Sequence, residues 1–458
     1  MGTAFDAIII GAGQAGPPLA GRLTAAGMKV ALIERKLFGG TCVNTGCTPT
    51  KTLIASAHAA HLARHAADYG VRIAEAEVDM RAVKARKDAI VLNSRNGVES
   101  GLRGMTRCTV YRGHARFVGP HEVSVADELL GAEGIFINVG GRAVWPEMPG
   151  IEKVTTLTNS SILELDLLPP HLVIIGGSYV GLEFAQMYRR FGSRVTVVEK
   201  GPRLVQLEDE DVSAAVKDIL EGEGIAVRLG AECIRFQAHG KEIAVGVDCA
   251  SREPEIVGSH VLLAIGRRPN TDDLGLERAG IALDAHGYIV VDDRLRTHVP
   301  GIWALGDCNG KGAFTHTAYN DFEIVAANLL DNAPRRVSDR VTAYALYIDP
   351  PLGRVGPGES EARQSGRKIR VGRRPMTRVA RAIEKGEARG FMKIVLDAES
   401  EAILGASILG VGGDEAIHAV LDMIHAKVRY STLRQAMHIH PTVSELVPTL
   451  LGELRPSA

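Results

Sequence analysis

Ile8-Ile9-Ile10-Gly11-Ala12-Gly13-Gln14-Ala15-Gly16 carries a short apolar run, starting at Ala7, straight into a turn built on three glycines. The run reads as a buried strand, the segment to about Ala26 as a helix, and Val30-Ala31-Leu32-Ile33, ending at Glu34, as a second strand. This is a G-x-G-x-x-G turn between strand and helix, with an acid about twenty residues further on. Gly11 permits the tight turn, Gly13 lets the backbone approach a pyrophosphate, and Gly16 lets helix and strand pack closely. The helix N-terminus suits phosphates and Glu34 suits a ribose diol. An ordinary glycine turn requires neither the second strand nor the acid, so the stretch predicts a dinucleotide site.

The same unit recurs. Leu172-Val173-Ile174-Ile175 leads into Gly176-Gly177-Ser178-Tyr179-Val180-Gly181, a helix, and Val195-Thr196-Val197-Val198 ending at Glu199. Gly11 to Glu34 and Gly176 to Glu199 are both 23 positions apart, which predicts a duplicated α/β architecture with two Rossmann-like sites. Ser178 replaces the second glycine and crowds the backbone approach slightly, but serine is small.

Between the units stands Gly39-Gly40-Thr41-Cys42-Val43-Asn44-Thr45-Gly46-Cys47-Thr48-Pro49-Thr50-Lys51. Fully extended, the cysteines would lie roughly 17 Å apart, far beyond the ~4.4–6.8 Å that a disulfide accepts between Cα atoms. A turn at Asn44-Thr45-Gly46 brings them back, and Thr48 as N-cap with Pro49 in the first turn starts a helix. Cys47 then lies at a helix N-terminus, where unpaired N–H groups and the dipole favour a thiolate. A zinc pair needs a second pair, and no other cysteine lies close by in sequence, while a structural disulfide does not suit a cytosolic chain. The stretch therefore reads as a redox disulfide.

A length of 458 residues suggests about three domains. With 45% hydrophobic and 23% charged residues and a net charge of −1, nothing favours nucleic acid or an anionic membrane surface. The opening Met1 to Asp6 lacks a basic leader, and no run of 18 apolar residues occurs, so a cytoplasmic protein without a membrane span is expected. His58, His61 and His65 recur at helical spacing and read as a solvated face; no metal site is expected there. Ile302-Trp303-Ala304-Leu305-Gly306-Asp307 reads as a further strand ending in an acid. From about Val341 the pattern changes to strands at 393–396 and 403–407 and a helix near 414–426, a separate α+β domain.

These motifs give the chain a family likeness over nearly its whole length. It resembles the class I flavoprotein disulfide reductases, the group of dihydrolipoamide dehydrogenase, glutathione reductase and mercuric reductase. The matching runs are GAGQAG, GGTCVNTGCTPTK, GGSYVG, ALGD at Ala304–Asp307 and HPTVSE at His440–Glu445. The resemblance implies an FAD domain over 1–143 and 265–335, an NAD(P) domain over 144–264, and a C-terminal α+β domain over 336–458 that makes a homodimer. It implies that Gly11, Gly13, Gly16 and Glu34 hold the adenosine diphosphate half of FAD. Gly40 and Thr41 line its path, Ala115 and Thr315 make backbone contacts, and Asp307 holds the ribitol. Gly176, Gly177, Ser178, Tyr179, Gly181, Glu199 and Gly266 fall to the nicotinamide dinucleotide. Lys51 matches the lysine near flavin N5, and Glu183 the glutamate paired with it.

By the same resemblance, Cys47 is the flavin-facing thiol and Cys42 the thiol that exchanges with a small thiol or disulfide substrate. His440, oriented by Glu445, is the acid–base partner from the other subunit; His438 reads as structural. Glu199 favours NADH and repels a 2′-phosphate, with Lys200 and Arg203 leaving NADPH open. Tyr179 resembles the gating tyrosine of glutathione reductase, and Thr45 and Thr48 replace apolar residues usual beside the disulfide. Two alternatives stand beside a disulfide reductase: a mercuric reductase-like metal reductase, and a dihydrolipoamide dehydrogenase subunit docked in a multienzyme complex. The last cysteine is Cys308, so the C-terminal cysteine pair of mercuric reductases is missing.

Overall fold

The computed structural model describes residues 2–232, 234–247 and 255–456. The apolar run at 7–10 lies in strand Thr3–Ile10, where Ile8 and Ile9 are fully buried because both faces of the sheet are covered. The helix follows at Gly16–Ala25 and the second strand at Val30–Glu34. Strand Thr3–Ile10 pairs in parallel with Val30–Glu34 on one side and with Glu128–Ile137 on the other. The seven-stranded sheet runs outward through Cys108–Arg112 at one end and through Glu122–Val125 and Arg116–Gly119 at the other. Strand Ile302–Ala304 returns from far along the chain to pair in parallel with Ile135–Ile137. One face packs Leu19, Leu23, Phe322 and Val325 from helices Gly16–Ala25 and Thr315–Leu330. The other packs Phe117, Val123, Leu274 and Ile281.

The second unit builds a four-stranded parallel sheet in the order Ala226–Arg228, Arg194–Val198, His171–Ile175, His260–Leu263. Helix Tyr179–Phe191 follows its glycine turn. An antiparallel three-stranded sheet, Arg235–His239, Glu242–Gly246 and Glu255–Gly258, packs beside it through Phe236 and Val245. Gly141–Ala143 and Arg267–Pro269 form a small antiparallel pair where the chain passes from the first sheet to this unit and back. The C-terminal region is a six-stranded antiparallel sheet in which Phe391–Asp397 and Ile403–Leu409 are central. Its apolar face is covered by Ile417, Val420, Leu433 and Val447 from short helices.

Three expectations change in detail. Residues 40–45 form a helical turn, Gly40–Thr45, rather than a loose reversal, and the long helix begins at Cys47 itself. Gly46, not Thr48, separates the two, and its carbonyl accepts the Thr50 N–H at 3.1 Å to open the second helix. Pro49 thus sits within the first turn, where its missing N–H has no partner to lose. The helix near 414–426 is two pieces, Gly413–Ala416 and His418–His425. His58, still partly exposed, is also tied to another part of the fold: its Nδ1 lies 2.8 Å from Asp349 Oδ2, which Arg190 also grips at 2.6 Å. Among the described residues, no helix is long and apolar enough to cross a membrane.

Candidate redox site

The two glycine turns are built alike. Gly11 (φ +110°) and Gly176 (φ +114°) lie in backbone territory that side chains avoid, and a Cβ there would collide with the carbonyls of Asn138 and Ala264. A Cβ on Gly16 would strike Gly11 O, and one on Gly181 would strike Gly176 O, so both helices rest directly on their turns. Ser178 takes the extended N-cap position of helix Tyr179–Phe191, where a small side chain fits. Glu34 accepts the Ala12 and Lys36 N–H groups at 2.9 and 2.7 Å. Glu199 mirrors it, accepting those of Gly177 and Gly201, both at 2.7 Å. Each carboxylate is fixed by two backbone N–H groups at the mouth of its turn.

The first turn meets the cysteine helices closely. A Cβ on Gly40 would stand 2.8 Å from the Gly13 Cα, so helix Gly40–Thr45 sits on the phosphate turn. Ala115 is buried just beyond strand Cys108–Arg112, the neighbour of the strand that ends in Glu34. Asp307 follows strand Ile302–Ala304; burial raises its carboxyl above the ordinary carboxylate value, opposed by Arg267 at 3.8 Å. Arg267 also reaches Thr41 Oγ1 at 3.5 Å, and Gly266 (φ +126°) beside it occupies open space. The closed glycine cradle, the fixed Glu34 and the half-buried Asp307 fit a flavin dinucleotide laid from the first turn towards Cys47.

Cys42 and Cys47 are free thiols. Cys47 Sγ lies 3.3 Å from the hydroxyl of Thr315, the first residue of helix Thr315–Leu330. The Cys42 thiol donates to Cys47, and with Thr315 and the Lys51 charge it pulls Cys47 down from 9.0 to about 6 against burial. The same hydrogen bond and burial push Cys42 well above the ordinary thiol value. Lys51, one helical turn beyond Cys47, pairs with Glu183 at 2.7 Å. The Tyr347 N–H donates to the other Glu183 oxygen at 3.0 Å, and Lys51 Nζ lies 4.5 Å from the centre of the Tyr347 ring. Tyr179 stands four residues before Glu183 and so shares its helix face.

The sequence of the family described as "Pyridine nucleotide-disulphide oxidoreductase" matches residues 5–321, and its dimerisation domain matches 342–451. The probable pyridine nucleotide-disulfide oxidoreductase RclA of Escherichia coli is 37% identical, over 98% of this chain and 99% of its own. A dihydrolipoyl dehydrogenase of Thermus scotoductus is 34% identical over 96% of this chain and 95% of its own. The chain belongs to the pyridine nucleotide-disulphide oxidoreductases. A mercuric reductase of Bacillus cereus is 30% identical over 96% of this chain, but that match spans 70% of the reductase. Among solved structures, the Cu(II) complex of the HOCl-induced flavoprotein disulfide reductase RclA from Escherichia coli superposes with a TM-score of 0.89 at 36% identity, covering 97% of this chain and 99% of that one. The protein is thus an FAD-dependent NAD(P)H:disulfide oxidoreductase with two Rossmann-like domains and a C-terminal domain.

In this oxidoreductase His440 Nδ1 lies 2.9 Å from Glu445 Oε2, with the imidazole largely exposed. Among the described residues, no hydrogen bond or ion pair joins this dyad to the cysteines of its own chain. His438 is exposed and its Nδ1 lies 3.2 Å from the Ala436 carbonyl. Sequence reasoning missed the residues that brace the redox loop. Asn44 donates to the carbonyls of Phe38 and Gly40, both at 2.9 Å, while Arg95 donates to its side-chain oxygen at 2.7 Å. It also missed Glu208, buried between two tyrosine hydroxyls. Asn44 lay in plain view between the cysteines; Arg95 and Glu208 carry no local signal of their partners.

Proposed function

We propose that electrons pass from NADH to the Cys42–Cys47 pair and leave through Cys42 to a small disulfide substrate, with His440 of the second subunit as acid–base partner. FAD, when bound, carries the electron pair from the nicotinamide to the two sulfurs. The observation that carries the reading is the asymmetry of the sulfurs. Cys47 is held as the thiolate by Cys42, Thr315 and Lys51, whereas Cys42 keeps its proton. A stabilised thiolate belongs against an electron-poor ring, and the thiol that keeps its proton until His440 of the second subunit takes it, leaving the thiolate that attacks the disulfide, belongs to the substrate. Gly11, Gly13, Gly16, Glu34, Gly40, Thr41, Ala115, Asp307 and Thr315 hold FAD in this reading. Gly176, Gly177, Ser178, Gly181, Glu199 and Gly266 hold NADH, and the Tyr179 ring gates the nicotinamide beside Lys51 and Glu183. The Glu199 carboxylate, already fixed on two backbone N–H groups, supports NADH over NADPH. The division at 143/144, 264/265 and 335/336 belongs to the same proposal, supported by the crossing pair Gly141–Ala143 and Arg267–Pro269. The homodimer is supported by the family's dimerisation domain and by Met437 and Ile439, which lie open beside His440 at 98% and 80% exposure.

A second reading is reduction of a metal ion at the dithiol, favoured by the exposed Cys47 and by the Cu(II) complex recorded for RclA.

The test of the sulfur assignment is a spectrum. Cys42→Ser is expected to show a long-wavelength thiolate–flavin band without reductant, and Cys47→Ser to show none even after reduction. The reverse pattern would exchange the roles of the two sulfurs.

A further inference from the structure

The side of helix Tyr179–Phe191 that carries Glu183 also carries a second, separate device. The Tyr179 hydroxyl donates to Glu208 Oε1 at 3.1 Å, and the Tyr344 hydroxyl donates to the same oxygen at 2.7 Å. Glu208 is 2% exposed. Its other oxygen has no hydrogen-bond partner among the described residues and faces the buried Arg354 guanidinium in an ion pair at 3.6 Å, so the two tyrosine hydroxyls are the side-chain hydrogen-bond donors to this carboxylate. The three residues come from three parts of the fold. Tyr179 opens the helix after the second glycine turn, and Glu208 lies on the loop whose Val205 N–H donates to Gly177 O at 2.9 Å. Tyr344 lies on strand Ala343–Leu346 of the C-terminal sheet. The rings also pack: Phe314 stacks on Tyr344 at 5.4 Å and meets Tyr179 edge-on at 6.2 Å. The residue after Phe314 is Thr315, which touches Cys47.

A buried carboxylate stripped of its hydrogen bonds is expensive, whereas one that keeps a donor tolerates losing another. We propose that Glu208 and Tyr344 are positioning residues that set how easily the Tyr179 ring yields to nicotinamide. Glu208 holds the ring in place, and Tyr344 keeps the carboxylate satisfied while the ring is away. The inference rests on the reading that the nicotinamide must displace Tyr179 to reach its site. Its consequence is a pair of opposite signs. Tyr344→Phe leaves Glu208 with Tyr179 as its one hydroxyl donor, so release of the ring becomes costlier and nicotinamide binding weaker. Glu208→Gln offers a weaker, neutral acceptor, so the ring is freed and binding tightens. A loss of packing would move both variants the same way.

The experiment is isothermal titration calorimetry of the FAD-loaded protein with NAD+, and with ADP-ribose, which lacks the nicotinamide. Tyr344→Phe is expected to raise the NAD+ Kd roughly three- to tenfold, and Glu208→Gln to lower it by roughly threefold. ADP-ribose affinity should stay within about twofold of wild type in both, which also shows that the fold is intact. The limiting rate of flavin reduction at saturating NADH should stay within about twofold in Tyr344→Phe, so that the change falls on binding and not on hydride transfer. Shifts of the same sign, unchanged NAD+ affinity in both variants, or ADP-ribose affinities that move in parallel would each overturn the latch. Tyr179→Ala, which removes the ring itself, separates the latch from the reading beneath it. If it tightens NAD+ while Glu208→Gln and Tyr344→Phe are silent, the latch alone fails. If it leaves NAD+ binding unchanged, the ring does not lie in the nicotinamide's path and both fail.

Discussion

Cys47 is drawn towards its anion by the groups around it, and that pull can be read in a titration. Its thiol falls from 9.0 to about 6 because Cys42 donates to the sulfur, Thr315 places a hydroxyl at 3.3 Å, and Lys51 adds positive charge. A lowered thiol value means that the thiolate dominates above about 6 and is lost as pH falls through it. In the reduced protein, alkylation of Cys47 by iodoacetamide, followed by peptide mass spectrometry, is expected to show a midpoint near that value. Cys42, pushed the other way by the same hydrogen bond and by burial, is expected to lag well behind Cys47 in this titration. Thr315→Val removes one hydrogen bond to the charged form and should move the Cys47 midpoint up by roughly one pH unit, after screening by solvent is allowed for. A wild-type midpoint at the ordinary thiol value would contradict the account of the site. An unmoved midpoint in the variant would remove Thr315 from it.

At the scale of elements, the strand–turn–helix unit at 171–199 carries the proposed choice of NADH over NADPH. Glu199 sits at the end of strand Arg194–Val198 with both oxygens fixed, and a 2′-phosphate there meets its charge. Arg203, one of the two candidates to bind such a phosphate, is drawn to Glu210 at 3.3 Å and to the Gln206 carbonyl at 3.1 Å. We expect kcat/KM for NADH to exceed that for NADPH by at least roughly tenfold in steady-state assays. Glu199→Gln should narrow the gap through the KM for NADPH. A higher value with NADPH in the wild-type protein would reassign Lys200 and Arg203 as phosphate ligands. Both such units were legible in the sequence because their demands are local: Gly11 and Gly176 are forced by φ and by one carbonyl each, and the acid follows at fixed spacing. The helix boundary at Cys47 was misplaced by two residues, because Thr48 has the composition of a cap while the break is made by the backbone at Gly46. The His58 contact was missed for a different reason: its partner Asp349 is 291 residues away, and periodicity within one helix cannot report a contact brought by another part of the fold. Glu208 and Tyr344, 136 residues apart, were invisible for the same reason. In sequence Glu208 is merely the first acid of a run that leads into helix Glu210–Gly222.

For the whole molecule, the protomer shows a His440–Glu445 dyad exposed beside Met437 and Ile439, and a cysteine pair held elsewhere by Thr315 and Lys51. A dimer in which each chain lends His440 to its partner's Cys42 joins the two. Mixing Cys42→Ser subunits with His440→Gln subunits tests that geometry, since one class of site in each mixed dimer combines intact Cys42 with intact His440. With random exchange of equal populations about half the dimers are mixed, each with one working site of two, so disulfide reduction should return to roughly a quarter of wild type. No recovery, once mixed dimers are shown by mass, would mean that the histidine acts within its own chain or not at all. Underneath all of this lies the claim that reducing equivalents from nicotinamide reach these two sulfurs. The direct measurement is anaerobic: add NADH to the air-oxidised, FAD-loaded protein, quench in acid with an alkylating agent, and count labelled cysteines by peptide mass spectrometry. The account predicts two new thiols per subunit, at Cys42 and Cys47, for the first equivalent of NADH consumed. Flavin reduction by NADH with no new label at either position would contradict it.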